Sequence, residues 1–312
     1  MKIAIVGAGV MGCLVGAMLK KAGEDVWLIN TNKAIVSHVK TSGLTVCINN
    51  TEEKIAMNIA QSPAEITEKM DLIIFLVKGC HTEVAAQSAT CIASERTYVM
   101  TLQNGLGNVE ILSKYYNRDK ILYGILEFAG KMIELGHIQG FISGNSKICF
   151  GSTQKKINDD FRRIADVLGG TGIKVILKED IDSEVWIKLR NNSTNAVFGI
   201  LRLTMGQALA ASGTETLMKL VRDEVIAVAK AKGVKFTPDQ LAVNGGKTPI
   251  NPELYAHLPS TARDMKNKVE TEIEFINGVI YREGLKLGVP TPYNEVLYRI
   301  VKIMEETYTL QF

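Results

Sequence analysis

Six residues near the start constrain this chain more than any others. Gly7-Ala8-Gly9-Val10-Met11-Gly12 fits the pattern GxGxxG. It follows a strand-like apolar run at 3–6 and opens a helical stretch, Val10–Lys21. Each glycine has a separate task in that setting. The first permits a tight turn, the second lets backbone approach a pyrophosphate, and the third lets the helix pack close to the sheet. The unpaired N–H groups of the helix N-terminus then face the phosphates. A merely tight strand–helix turn would carry the same letters, but the strand-then-helix context points to a dinucleotide.

A second strand, Asp25–Ile29, ends at Asn30, near the ~20-residue offset where an acid would read the ribose hydroxyls of NAD. Asn30 carries no charge to repel a 2′-phosphate, and Asn32 and Lys33 follow as donors. The reading favours NADP, as NADPH, over NAD; the alternative is that Asn30 is only a turn residue. Ligands of open α/β sheets collect past the carboxyl ends of strands. Lys78 ends the apolar run 72–77, and Asn104 follows the run 97–102 ahead of Gly105 and Gly107. Taken singly, a lysine after a strand is usually a solvated surface charge and an Asn-Gly pair usually a turn.

The chain has 312 residues, enough for two domains. Strand-like and helix-like segments alternate through the first half, with further strands expected at 133–139, 147–150 and Lys174–Leu177 and a helix at 157–168. From about residue 180 the pattern turns to long helices, at 184–201, 214–232 and 265–287, the last stopped by Gly288 before Val289-Pro290. The expected fold is α/β: a Rossmann-type doubly wound sheet over 1–179, then an all-helical substrate domain over 180–312. Apolar residues make up 46% and the net charge is +3 with no basic block, which argues against nucleic acid or a membrane as partner. Five scattered cysteines without a CxxC pair and no signal-like start give the expectation of a reduced, cytoplasmic protein. The four histidines lack ligand spacing, so no metal is expected. A homodimer is left open.

The segments GAGVMG, LVKGCHTE, LQNGLG, VWIKLRNNSTNA and STARDMKNKVETEIEFINGV together resemble the ketopantoate reductase family (2-dehydropantoate 2-reductases) over nearly the whole chain. The resemblance implies reduction of 2-dehydropantoate to pantoate by NADPH, on the route to pantothenate and coenzyme A. It implies Lys188 as the catalytic lysine and Glu272 as its partner acid. It places Asn104 at the junction of nicotinamide and substrate with Lys78 nearby, Ser260 on the substrate carboxylate, and Asn192 and Asn195 on the hydroxyl end. The chain departs from the family in three places. Ala196 stands where the second helix asparagine is usual, as though one residue were deleted before Asn195. Thr31 replaces an arginine, and Leu126-Glu127-Phe128 replaces a threonine-containing segment; Glu127 would either intrude on a carboxylate pocket or face away.

On a continuous helix, Asn192 and Asn195 fall at about +40° and −20° from Lys188, a polar wedge with Trp186 nearly opposite. On a continuous 265–287 helix, an apolar stripe runs through Val269, Ile273, Ile276, Ile280 and Leu287, and Glu272 is the carboxylate nearest it, about 60° away. Ser260 after Pro259 reads equally as a helix cap. The chemistry expected is hydride transfer to the carbonyl carbon of a small 2-oxo acid with Lys188 as general acid. Two alternatives stand beside it: a related reductase for a different 2-oxo acid, and a non-catalytic dinucleotide sensor.

Overall fold

The computed structural model describes residues 1–242 and 255–311. They gather into two compact units, Met1–Gln103 with Asn108–Ile181, and Asn104–Gly107 with the described residues from Asp182 onward.

The first unit is built on an eight-stranded sheet. Its strands are β1 (Lys2–Val6), β2 (Asp25–Ile29), β5 (Asn58–Ala60), β6 (Leu72–Phe75), β7 (Tyr98–Thr101), β8 (Ile121–Leu126), β11 (Lys147–Ser152) and β12 (Lys174–Leu177). They lie in the order β12-β11-β8-β7-β6-β1-β2-β5. All pairings are parallel except β8 with β11. Alternate side chains of β1 and β6 enter opposite cores. Ile3, Ile5, Leu72 and Ile74 pack with the helices α1 (Val10–Lys21) and α5 (Asp159–Gly169). Ala4, Val6, Ile73 and Phe75 pack with α3 (Thr82–Ala89) and α4 (Asn108–Leu112). Burial on both faces is why these strands read as unbroken apolar runs rather than as alternating ones. Each such isoleucine or leucine contributes about 1.5–3 kcal/mol. The expected doubly wound sheet is therefore present. The chain runs from β1 outward to β2 and β5, then returns to β6 on the other flank, so the order reverses at β1. That reversal puts the Gly7–Gly12 loop at the switch point where such sheets hold ligands.

A second, four-stranded sheet was not anticipated. It comprises β3 (Leu44–Ile48), β4 (Thr51–Ile55), β9 (Ala129–Glu134) and β10 (His137–Phe141), in the order β4-β3-β10-β9. The expected single strand at 133–139 is in fact the tip of the β9–β10 hairpin, turning at Gly136 with φ 74°. Gly140 lets this sheet sit on α1: a Cβ there would lie 2.9 Å from Leu14 Cδ1. Strand β8 was not among the expected strands either; a glycine, Gly124, sits within it. That glycine is required by packing, since a Cβ would lie 2.1 Å from the Cys149 carbonyl oxygen.

In the second unit, two expected long helices are broken. The run 184–201 forms α6 (Asp182–Asn192) and α7 (Asn195–Leu201). The hydroxyls of Ser193 and Thr194 donate to the carbonyls of Arg190 and Asn191, at 2.8 and 2.9 Å, and the Asn277 amide donates to the Ser193 carbonyl at 2.9 Å. Such back-bonding competes with the helix ladder. The run 265–287 forms a helix Ser260–Lys266, a turn Ile273–Phe275 and a helix Asn277–Leu287. The first of these ends in a Schellman motif, with Val269 N donating to Asp264 O and Lys268 N to Met265 O, both at 3.1 Å. Lys268 takes the left-handed position, φ 54°, where glycine is usual. Glu305 then captures Thr271 through its N–H and hydroxyl at 2.8 and 2.7 Å. Of the expected stripe, Ile273, Ile276 and Ile280 are buried, whereas Leu287 and Val269 are exposed, Val269 lying in the non-helical segment beyond Lys268. After the short α8 (Met205–Leu209), the stretch 214–232 is one helix, α9 (Thr214–Ala231), as expected. The final helix Pro292–Glu306 was not foreseen. Among the described residues, no helix is long and apolar enough to cross a membrane.

Candidate functional site

In the first unit, the three glycines of the loop meet different surroundings. A Cβ on Gly7, whose φ is 104°, would lie 2.4 Å from Val77 N, in the segment beyond β6. A Cβ on Gly12 would lie 2.1 Å from the Gly7 carbonyl oxygen. A Cβ on Gly9 would meet no heavy atom within 4 Å. Two glycines are thus demanded by the protein's own packing, and the third borders open space ahead of the α1 N-terminus. Gly9 is the helix N-cap and has no side-chain cap bond among the described residues. A glycine cradle at a helix N-terminus, roomy at its middle glycine, fits a dinucleotide pyrophosphate carried by Gly7, Ala8, Gly9, Val10, Met11 and Gly12.

Asn30 is tied into this loop. Its amide donates to the Ala8 carbonyl at 2.6 Å, and its side-chain oxygen accepts from Asn32 N at 2.9 Å. Both ends of the side chain therefore serve the turn, in line with the structural alternative for this residue. Asn32 caps α2 (Lys33–Ser42) by accepting from Ala34 N and Ile35 N. Lys33 is exposed at the first position of that helix. Lys78 is partly buried and leads into the turn Gly79–His81 past the end of β6. Glu127 is exposed and pairs with Lys147 at 3.3 Å.

The residue that sequence reasoning missed is Gln103. Its side-chain nitrogen donates to the Val77 carbonyl at 2.9 Å and to the Thr82 hydroxyl at 2.8 Å, and its oxygen accepts from the Thr101 hydroxyl at 2.9 Å. The Thr82 hydroxyl in turn donates to Asn108 Oδ1 at 2.9 Å. Gln103 is buried, so this network fixes the ends of β6 and β7 against each other. A glutamine closing an apolar strand run was the available signal.

In the second unit, three polar residues are joined by hydrogen bonds, and a fourth shares a helix face with one of them. Asn104 Nδ2 donates to Glu272 Oε2 at 3.3 Å, and Asn192 Nδ2 donates to Asn104 Oδ1 at 3.4 Å. Lys188 lies one turn before Asn192 on α6, and i,i+4 residues share a helix face. All four are partly buried. Trp186 is buried among Leu189, Val225 and Ile280, as its position opposite Lys188 suggested. The Asn104 loop is held by backbone: Leu106 N donates to Phe275 O at 2.9 Å, and Gly105, φ 84°, approaches so closely that a Cβ would lie 2.3 Å from the same oxygen.

Glu272 does not lie on a helix face; it is the N-cap residue of the Ile273–Phe275 turn. Its nearness to Asn104 thus comes from the chain break after Lys266, not from helical periodicity. Asn195 begins α7 beyond the break, so the single-helix wedge with Lys188 does not hold for it. Ser260 is exposed in the first turn of Ser260–Lys266, where Pro259 rather than Ser260 is the N-cap. Among the described residues, no three His, Cys, Asp or Glu side chains are grouped to hold a metal ion.

Residues 3–155 match the sequence profile of ketopantoate reductase PanE/ApbA, and residues 180–305 match that of the C-terminal part of the same enzymes. A 2-dehydropantoate 2-reductase of Lactococcus lactis is 31% identical, over 98% of this chain and 98% of its own. Among solved structures, a D-mandelate dehydrogenase with NADH and anilino(oxo)acetate is similar with a TM-score of 0.91 at 28% identity, covering 99% of this chain and 100% of its own. A PanE/ApbA family ketopantoate reductase of Ralstonia eutropha is similar with a TM-score of 0.87 at 29% identity, covering 98% and 99%.

Proposed function

This chain belongs to the ketopantoate reductase family, and from that premise we propose that it reduces 2-dehydropantoate to pantoate with NADPH. The observation that carries the reading is the hydrogen-bonded set Asn192, Asn104 and Glu272, with Lys188 one turn from Asn192. Gly7 to Gly12 would hold the cofactor's pyrophosphate, with Asn30 and Lys33 toward its adenosine end and Lys78 toward its nicotinamide end. The cofactor, when bound, supplies the hydride. Negative charge then develops on the substrate's carbonyl oxygen. Protonated Lys188 donates a hydrogen bond to that oxygen and gives it the proton. Glu272 orients Lys188, while Asn104 and Asn192 fix the carbonyl for attack. Ser260 takes the substrate carboxylate and Asn195 the hydroxyl end.

A second reading is a reductase of the same build for a different 2-oxo acid, with NADH as donor. It draws on the likeness to D-mandelate dehydrogenase and on Asn30, whose side chain is already committed to the turn. One paired assay separates the two: oxidation of NADPH and of NADH with 2-dehydropantoate and with other 2-oxo acids. The proposal expects the highest kcat/KM for NADPH with 2-dehydropantoate. A preference for NADH or for another acid supports the second reading; cofactor binding without turnover of any 2-oxo acid supports a sensor.

A further inference from the structure

We infer that Asn277 is a positioning residue for this reaction, holding the end of the Lys188 helix to the turn that carries Glu272; the inference rests on the reductase reading above. Asn277 is 1% exposed. Its side-chain nitrogen donates to the Ser193 carbonyl at 2.9 Å and to Asn294 Oδ1 at 3.0 Å. Both neighbours are acceptors, so only an NH2 group can serve them together.

Asn294 is locked in turn. Its nitrogen donates to the Val221 carbonyl at 3.0 Å and to Glu224 Oε2 at 2.7 Å, which leaves its oxygen for Asn277. The Glu224 carboxylate, nearly buried on α9, also accepts the first-turn N–H groups of Tyr293 and Asn294, each at 2.9 Å. A buried anion at a helix N-terminus is stabilised by those donors and by the helix dipole. The series is therefore ordered: Asn277 donates to Asn294, Asn294 donates to Glu224, and a fixed charge stands at its end. Among the described residues, the Asn277 side-chain oxygen is buried without a hydrogen-bond partner, so the order of the series rests on its two donated bonds.

Asn277 uses that anchor at a critical place. The carbonyl it holds belongs to Ser193, where α6 breaks, directly after Asn192. Asn277 itself begins its helix two residues beyond the Ile273–Phe275 turn, which Glu272 opens. One side chain thus joins the two backbone segments that present Lys188 with Asn192 on one side and Glu272 on the other. Without it, the Ser193 carbonyl loses its partner at the break, and the spacing between those segments is no longer held.

The test compares wild type, Asn277→Ala and Leu297→Ala by steady-state NADPH oxidation with the 2-oxo acid that wild type reduces best, alongside thermal melts. Leu297 is buried in the same helical unit, three residues beyond Asn294 on the same helix, and its apolar side chain makes none of the amide bonds. Asn277→Ala is expected to lower kcat about a hundredfold, the cost of a misplacement near 1 Å. Its KM for NADPH stays within about twofold. Leu297→Ala is expected to lose melting temperature with kcat unchanged. If Asn277→Ala does not fold, Asn277→Ser, which can still donate to one carbonyl, takes its place with an intermediate kcat. A folded Asn277 variant with wild-type kcat overturns the positioning role, as does a Leu297→Ala whose kcat falls in step with its stability. A wild type that turns over no 2-oxo acid overturns the reductase reading itself, so the two failures are distinct.

Discussion

Replacing Gly9 with alanine separates the loop's structural duty from its binding duty. The φ of Gly9 is −76°, which alanine adopts without strain, and its Cβ would meet no heavy atom within 4 Å. The unliganded protein therefore loses only the difference in N-cap preference, about 0.5–1 kcal/mol. At this chain length that is a fall in melting temperature of roughly 1–4 °C. The bound state differs, because the methyl group occupies the space through which a pyrophosphate approaches backbone. A hundredfold rise in Kd, about 2.7 kcal/mol, is the expected penalty. With NADPH at 100 times the wild-type Kd, ligand stabilisation is about 2.7 kcal/mol for wild type and only about 0.4 kcal/mol for Gly9→Ala. Gly12→Ala should behave in the opposite order. Its Cβ would lie 2.1 Å from the Gly7 carbonyl oxygen, so overpacking of about 1–3 kcal/mol appears already without ligand. Melts with and without NADPH, with titration calorimetry for Kd, measure both. A Gly9→Ala protein that gains the same ligand stabilisation as wild type would refute the placement of the pyrophosphate at this loop.

Lys188→Ala is expected to cut turnover by orders of magnitude while NADPH affinity, measured by cofactor fluorescence, stays near wild type; unchanged turnover removes Lys188 from the general-acid role. The carboxyl of Glu283 is pushed up by partial burial, but hydrogen bonds and charge from Lys232 and Lys286 outweigh this and hold it below the usual carboxylate value. Since its folded-state pKa is depressed, its contribution to stability is full above the unfolded pKa and is lost as pH falls through the folded one. Melts from neutral to acid pH should therefore show a shallower acid loss in Glu283→Gln than in wild type; parallel curves contradict the coupling. Burial pushes the Cys13 thiol up to about 12, whereas Cys91 is exposed. A thiol reagent at mildly alkaline pH should label Cys91 in the native protein and reach Cys13 only after denaturation. Rapid native labelling of Cys13, detected by peptide mass, is the contrary result.

Local chemistry made part of this protein readable from its residues alone. The parallel sheet announces itself because strands buried on both faces must be apolar at every position, as 72–75 are. The glycine loop is equally legible, since close approach admits no side chain at Gly7 or Gly12. The stop at Gly288 is legible too: the left-handed residue of its Schellman turn is a glycine, with Val289 N donating to Gly284 O. The candidate site was less so. The same turn ends the helix at Lys266, but its left-handed residue is Lys268, which nothing in the local sequence marks. Glu305, more than thirty residues away, stabilises the non-helical segment beyond that turn by capturing Thr271. The break at Ser193 is likewise stabilised by Asn277, 84 residues distant. Sequence by itself determined which residue types are present and which backbone segments must be apolar, turned or glycine-lined. Tertiary partners decided that the two helices break rather than run on, and the second break brought Glu272 to Asn104. Those breaks depend on hydrogen-bond partners from other elements, and a helical period read along one segment contains no term for them.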